Sequence, residues 1–480
     1  MTRISDIRKL LDTRRISCLE LTRTYLDAAK RENEELNAFI SFTEEAAESA
    51  ARAVDEKLAK GESASPLAGV PFIMKDCIST EGIKTTCASK MLENYIPIYD
   101  ADTWEKLRGA GAVLLGKGNL DEFAMGSTTG TSYFGPAKNP RDMSRAPGGS
   151  SGGCAAAVAG ALSVFGIGSD TGGSVRQPAA HCGVVGLKPG YGTVSRFGLI
   201  SYASSFDQAG VISANVRDAA LVLAAISGRD ERDMTSRETE KVSERLTGSV
   251  KGRKIGIPRE FYEGVAPDID APLREMAKIY EKLGATVVEV DFPLLSEAAP
   301  TYVILSCAEA SSNLGRFVGL RFGYRAEGTS SLDEFICKTR SEGFGREVRR
   351  RVMFGTYVLS AGHCDTHFKK AQTLRRGIRG ELLKLLGEVD MLLTPTTHTT
   401  AVPFGFSPTP VEAYRSDICT VPANLAGVPA MSIPCGFDKS GLPVGAQLIG
   451  VTELDILDAA LAFENETGGF VKPAKGGVSL

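Results

Sequence analysis

Pro147-Gly-Gly-Ser-Ser-Gly-Gly153 is followed by a run of small residues and then by Gly168-Ser-Asp-Thr-Gly-Gly-Ser174-Val-Arg-Gln-Pro178. The fold is decided by how this stretch is read. Two serines, Ser150 and Ser174, each lie among glycines. Glycine lets a backbone turn its N–H groups inward and come close to a ligand. Between the clusters, Ser151 to Leu162 suits a tightly packed helix, and Val164 to Ile167 suits a short buried strand. Upstream, Leu67 to Met74 reads as another buried strand, ending at Lys75. A single glycine cluster would fit tight turns and helix contacts alone. Two clusters with a buried lysine upstream indicate a catalytic site.

Working outward, strands and helices alternate. Ser17 followed by Glu20 is a capping box, with Ile16 and Leu21 at staple spacing, so a helix begins there. A second helix is predicted over Thr43 to Lys60, a third near Trp104 to Arg108, and a strand over Ala112 to Leu115. Gly135 to Gly153 is rich in Gly, Pro, Asn and Ser and reads as loop. Lys254 to Ile257, a helix around Pro272 to Leu283, and Thr286 to Val290 form a strand–helix–strand unit. Further strands are predicted at Met391 to Leu393, Ala430 to Pro434 and Gln447 to Ile449. The alternation implies an α/β fold with a largely covered sheet. Ser227 to Lys254 is charged and aperiodic; it reads as a solvated surface excursion, with a domain linker as the alternative.

Composition narrows the function. The 480 residues are 43% apolar and 24% charged, which excludes a mostly disordered chain or a coiled coil. The net charge of -3 gives no basic excess to drive nucleic-acid or membrane-surface binding. Ten cysteines without a CxxC pair argue against a zinc knuckle or thioredoxin-like motif. The charged start, Met1 to Arg15, lacks an apolar signal core, and no stretch is long and apolar enough to span a bilayer. A cytoplasmic protein with reduced thiols is the simplest expectation.

Three weaker motifs compete with the serine clusters. Gly111-Ala-Val-Leu-Leu-Gly116-Lys117-Gly118 nearly matches a phosphate-binding loop, but glycine stands where the magnesium-binding Ser/Thr belongs and the interior is strand-forming. His363 and His367 have metal-binding spacing on a predicted helix, yet Cys364 takes the place of the glutamate of HExxH, so two ordinary helix histidines are expected. Gly148-Gly-Ser-Ser-Gly152 fits GxSxG, but a polar, proline-containing loop precedes it instead of a buried strand. A Ser-His-Asp hydrolase using His398 is therefore a minor alternative.

The serine-rich block resembles the amidase signature family, which uses a Ser–cis-Ser–Lys triad. Gly118-Asn-Leu-Asp-Glu-Phe-Ala-Met-Gly126, Tyr133-Phe-Gly-Pro136, Cys182-Gly-Val-Val-Gly-Leu-Lys-Pro189 and Asn424-Leu-Ala-Gly-Val-Pro429 extend the resemblance over nearly the whole chain. Within the family it looks most like the glutamine-hydrolysing subunits of tRNA-dependent amidotransferases. The resemblance implies one domain over residues 1–480, with an N-terminal helical segment at about 1–62, a core at about 63–470, and a large mixed central β-sheet covered by helices on both faces. It implies Ser174 as nucleophile, Ser150 as bridging serine after a cis peptide from Gly149, and Lys75 as base. Backbone N–H groups of Thr171, Gly172 and Gly173 would form the oxyanion hole. Arg351 would take the substrate carboxylate, with Arg350 as the alternative register, and Asp417 the α-amino group, assisted by Tyr302.

By the same resemblance, the chain needs no metal or cofactor of its own. A second, tRNA-binding and kinase-like subunit would use ATP and Mg²⁺ to activate Glu-tRNA(Gln), Asp-tRNA(Asn) or both. A small third subunit would complete the complex. Glutamine is the implied small substrate; mischarged tRNA is met through the partner, and no membrane is involved. The chemistry makes one physical demand. Lys75 is a base only when neutral, so its reference pKa of about 10.4 must fall by roughly three pH units, worth about 4 kcal/mol. Asp76 would oppose that fall if it faced the amine, so it is expected to point away.

Overall fold

The capping signals sit where helices begin. In the computed structural model, which describes residues 3–404, 416–470 and 477–478, Ser17 caps helix α2 (Cys18–Leu36), and both halves of the box with Glu20 are made. Helix α1 (Ile4–Asp12) precedes it, and α3 (Glu44–Ala59) follows. The N-terminal segment is not all helical, however. Asn37 closes α2 in the left-handed conformation, at φ 50°, and Phe39–Phe42 then runs extended as strand β1 before Thr43 opens α3. Four residues are too few to show periodicity, but the Phe39 and Phe42 rings stack at 4.9 Å and the strand pairs antiparallel with the sheet.

That sheet has eleven strands. After β1 come β2 (Pro71–Lys75), β3 (Val113–Gly118), β4 (Phe165–Asp170), β5 (Val185–Lys188) and β6 (Gln208–Ser213). The second half has β7 (Lys254–Pro258), β8 (Thr286–Val290), β9 (Met391–Pro395), β10 (Ala430–Phe437) and β11 (Pro443–Gly450). The order across the sheet is β1-β3-β2-β4-β6-β5-β10-β11-β9-β7-β8. It is mixed: β2 runs parallel to β3 and β4, and β7 parallel to β8 and β9, while the other pairs are antiparallel. Every residue of β2 to β6 and of β9 is buried, so both faces of the central sheet are covered, and the fold is α/β as expected. Strands β5 and β6 escape a sequence pattern because, buried on both sides, they show no polar alternation.

The remaining helices are α4 (Asp102–Gly109), α5 (Gly152–Ala159), α6 (Arg176–Cys182), α7 (Val216–Ile226), α8 (Pro267–Lys282) and α9 (Leu295–Asn313). Then come α10 (Leu332–Gly343), α11 (Arg346–Leu359), α12 (Lys369–Glu388), α13 (Val421–Ala426) and α14 (Glu453–Thr467). All eight residues of α5 are buried, and its Gly-Gly-Cys-Ala-Ala-Ala-Val-Ala sequence lets it pass close to its neighbours. The phosphate-loop look-alike is strand β3, whose Lys117 is fully buried. Residues 227–253 carry one short 3₁₀ turn, Val242–Glu244, and otherwise no helix or strand. Among the described residues, no helix is long and apolar enough to cross a membrane. All ten cysteines are free thiols.

Candidate active site

Three chain segments converge on the serines. Lys75 is the last residue of β2, which runs parallel to β4 with Met74 opposite Ile167. This pairing sets the lysine beside the end of β4. Its Nζ donates to Ser150 Oγ at 2.7 Å, to Ser169 Oγ at 2.8 Å and to the Ser169 carbonyl at 3.3 Å. The side chain is fully buried, and burial pushes the amine pKa down; the Cys77 and Cys154 thiols and the Asp121 and Asp170 carboxylates oppose this. Asp76 turns away, as expected. Its carboxylate accepts from the Thr86 N–H at 2.8 Å and from the Thr86 hydroxyl, and its Oδ1 lies 3.7 Å from Lys117 Nζ.

The second segment is the loop entering α5. The Gly149–Ser150 peptide is cis. Gly149 N–H donates to Gln177 Oε1 at 2.8 Å, and the Thr129 hydroxyl donates to the Gly148 carbonyl at 2.8 Å. Asp121 braces the flanking loop, accepting from the N–H groups of Thr128, Thr129 and Thr131 at 3.2, 2.8 and 3.2 Å.

The third segment joins β4 to α6 and carries Ser174, which is 9% exposed. The Ser151 N–H donates to the Ser174 carbonyl at 3.1 Å, lacing the two serine loops together. The Ser174 hydroxyl makes no hydrogen bond to another described residue. The loop is held by Asp170, whose Oδ1 accepts from Gly173 N–H at 2.9 Å and whose Oδ2 accepts from Val175 N–H at 3.2 Å. Arg176 forks onto the same carboxylate at 2.9 and 3.0 Å. Burial alone would raise the Asp170 pKa; Arg176, with Lys188 and Asn424, outweighs it and holds the carboxyl well below the usual range.

This arrangement corrects one expectation. Gly173 N–H is taken by Asp170, so it is not available to an oxyanion; the N–H groups of Thr171 and Gly172 have no acceptor among the described residues. The Thr171 side chain is fixed by its hydroxyl donating to Asp207 Oδ1 at 2.6 Å. Two glycines in this loop are sterically required. Gly173 has φ +126° with Thr420 against it, and a Cβ on Gly172 would lie 2.5 Å from the Tyr302 ring.

The expected substrate residues surround this loop. Tyr302 is buried on α9 and packs on Gly172. On α11, Arg351 faces inward with 12% of its side chain exposed, against 38% for Arg350, which favours the first register. Arg351 Nε donates to Glu347 at 2.7 Å and Nη1 to the Tyr202 hydroxyl at 2.7 Å. Asp417 precedes α13. Burial pushes its carboxyl up to about 7, opposed chiefly by Arg351. Thr420 ties Asp417 to the serine loop, its hydroxyl donating to the Gly172 carbonyl at 2.6 Å and the Asp417 carbonyl at 3.0 Å.

The competing histidines lie in other settings. The His363 and Tyr357 rings lie 4.0 Å apart, tilted by 32°, beside the π-helical turn Cys364–Phe368, which carries His367. His398 Nε2 pairs with the Phe261 carbonyl at 2.9 Å. Ser169, Asp121, Tyr202 and Thr420 were not singled out by sequence reasoning. Ser169 and Asp121 carried a signal, Ser169 as one of four serines in the glycine-rich blocks and Asp121 within the Gly118–Gly126 segment.

Known proteins match the chain along most of its length. The Amidase family model matches residues 20–455. A glutamyl-tRNA(Gln) amidotransferase subunit from Coxiella burnetii is 48% identical over 470 residues, 97% of each chain. The crystal structure of the protein of the same name from Thermotoga maritima superposes with a TM-score of 0.79 at 40% identity, covering 97% of this chain and 98% of that one. A native peptide amidase from Stenotrophomonas maltophilia superposes at 0.84 with 29% identity over 99% of both chains. Matched by that family model from residue 20 to residue 455, and by relatives along almost its full length, the chain belongs to the amidase family.

Proposed function

We propose that this chain is the glutamine-hydrolysing subunit of a tRNA-dependent amidotransferase. The observation that carries the reading is the buried Lys75 amine on Ser150 Oγ at 2.7 Å, in a chain 48% identical to the glutamyl-tRNA(Gln) amidotransferase subunit of Coxiella burnetii. Neutral Lys75 takes a proton from Ser150, which takes one from Ser174 as the nucleophile turns onto it. Ser174 Oγ attacks the side-chain amide carbon of glutamine, and the oxyanion meets the N–H groups of Thr171 and Gly172. The proton returns through Ser150 to the leaving nitrogen, releasing ammonia and leaving a glutamyl ester on Ser174. Water then attacks the ester and frees glutamate. Arg351 takes the α-carboxylate; ionised Asp417, with Tyr302, takes the α-amino group.

The ammonia would serve a partner. A second subunit would bind the mischarged tRNA and hold ATP and Mg²⁺, and a small third one would complete a cytoplasmic heterotrimer. The near-neutral charge of this chain, -3, supports placing tRNA affinity on the partner. The test is ammonia release from glutamine by the chain alone, and then with its partner subunits, ATP and Glu-tRNA(Gln). Low release that rises with partners and vanishes in Ser174→Ala is expected. Brisk turnover of another amide, indifferent to the partners, would leave a free-standing amidase.

A further inference from the structure

Tyr202 stands outside the triad and the expected substrate residues, yet its hydroxyl joins the two helices that carry Arg351 and Tyr302. Arg351 Nη1 on α11 donates to Tyr202 Oη at 2.7 Å, and Tyr202 Oη donates to Ser306 Oγ on α9 at 3.0 Å. Ser306 lies one turn beyond Tyr302 on the same helix. The tyrosine ring is buried, and the Arg351 guanidinium sits 5.5 Å from its centroid. Burial keeps the phenol protonated, so it can accept from the arginine while donating to the serine.

Among the described residues, two grips hold the guanidinium: Glu347 at Nε and Tyr202 at Nη1. The grips differ in kind. Glu347 is the neutralising charge, and it also holds Arg350 at 2.6 and 2.8 Å, so it cannot by itself set the angle of the Arg351 plane. Tyr202 is neutral and rigidly packed. It orients the fork without cancelling the charge that a substrate carboxylate would seek. The backbone on either side is pinned as well: Asn313 Nδ2 on α9 donates to the Tyr202 carbonyl at 3.2 Å, and Ala203 N–H donates to Asp207 at 3.0 Å. Asp207 is the carboxylate that receives the Thr171 hydroxyl.

We propose that Tyr202 is a specificity-determining positioning residue, whose hydroxyl sets the Arg351 fork for the α-carboxylate of the amide substrate. The proposal deepens the glutamine reading and rests on it. The test is Tyr202→Phe in the full chain assembled with its partners, which removes one oxygen and keeps the ring. The KM for glutamine is expected to rise roughly tenfold, the loss typical of a hydrogen bond to a charged group, with kcat changing less than about twofold. Ser306→Ala should raise KM by a smaller factor, since it frees the phenol without removing it. Arg351→Ala separates the two levels. If Arg351→Ala leaves KM unchanged, the carboxylate reading itself fails. If Arg351→Ala raises KM but Tyr202→Phe does not, or lowers kcat at constant KM, the positioning role is overturned while the glutamine reading stands.

Discussion

Asp76, the residue after the lysine that contacts Ser150 and just past the end of β2, faces Lys117 on the adjacent parallel strand β3 across 3.7 Å, both side chains buried. Lys117 also donates to the Ile78 carbonyl at 2.6 Å and to the Thr80 and Thr85 hydroxyls, both at 3.0 Å. The pair keeps a carboxylate out of the Lys75 environment, where it would favour the charged amine. Burial nonetheless pushes the Asp76 carboxyl up to about 6. Asp76→Asn should lower stability by about 3 kcal/mol, because it leaves a buried lysine without its counter-ion. Urea unfolding measures that loss. The pH profile of the remaining glutaminase activity should keep its position; a displaced basic limb would contradict this division of roles between the two lysines.

Lys75 and Ser150 act as one unit if Ser150 relays the proton. Lys75→Met and Ser150→Ala should each cut glutamine turnover by roughly 10²–10⁴-fold, the usual range for general acid–base catalysis. The double variant should be little worse than either single one, since the second change removes a group already idle. Steady-state ammonia release gives the comparison, and multiplicative losses would argue against a relay.

Asp417 supplies a pH dependence with a defined sign. Its carboxyl, pushed up to about 7 by burial, is protonated below that value and so cannot attract the substrate ammonium. The KM for glutamine should therefore rise as pH falls through about 7, while Asp417→Asn should have a high KM with that step removed. Stability runs the other way. The folded chain holds this proton more tightly than the unfolded one, so ionising Asp417 costs stability as pH rises from the ordinary carboxylate range to about 7.

Gly172 has no room for a side chain, because Tyr302 occupies the space its Cβ would need. Gly172→Ala should displace the loop bearing the Thr171 and Gly172 N–H groups. Loss of one oxyanion donor typically costs about 10²–10³ in kcat, and a fall of that order is expected here with the fold retained. Circular dichroism checks the fold and ammonia release the rate.

Much of this was legible in the sequence for local reasons. Ser17 and Glu20 satisfy each other three residues apart, and the glycines around Ser150 and Ser174 are adjacent to the groups they free. Lys75 was found because a charged residue ended an apolar run. What stayed hidden depends on distant packing. The Tyr202 hydroxyl meets Arg351 across 149 residues, and no pattern near Tyr202 foretells it. Gly173 read like its neighbours, but Asp170 three residues back had already claimed its N–H. Strand β1 was lost inside a helical segment because its partner, β3, begins some seventy residues later.

The lacing of the two serine loops has a consequence for how such a site can change. Ser150 and Ser174 are the ends of a single loop–helix–strand–loop unit whose middle, α5 and β4, is wholly buried. Their separation is a length measured out by one helical rod and one strand, like a caliper clamped inside the core. A residue added or deleted within that interval would rotate or shift one serine against the other with no surface loop to absorb the error. Variation in chain length is therefore confined to places such as the 227–253 excursion. New substrate preferences have to arise by exchanging side chains on α9, α11 and the approach to α13, around a caliper that stays set.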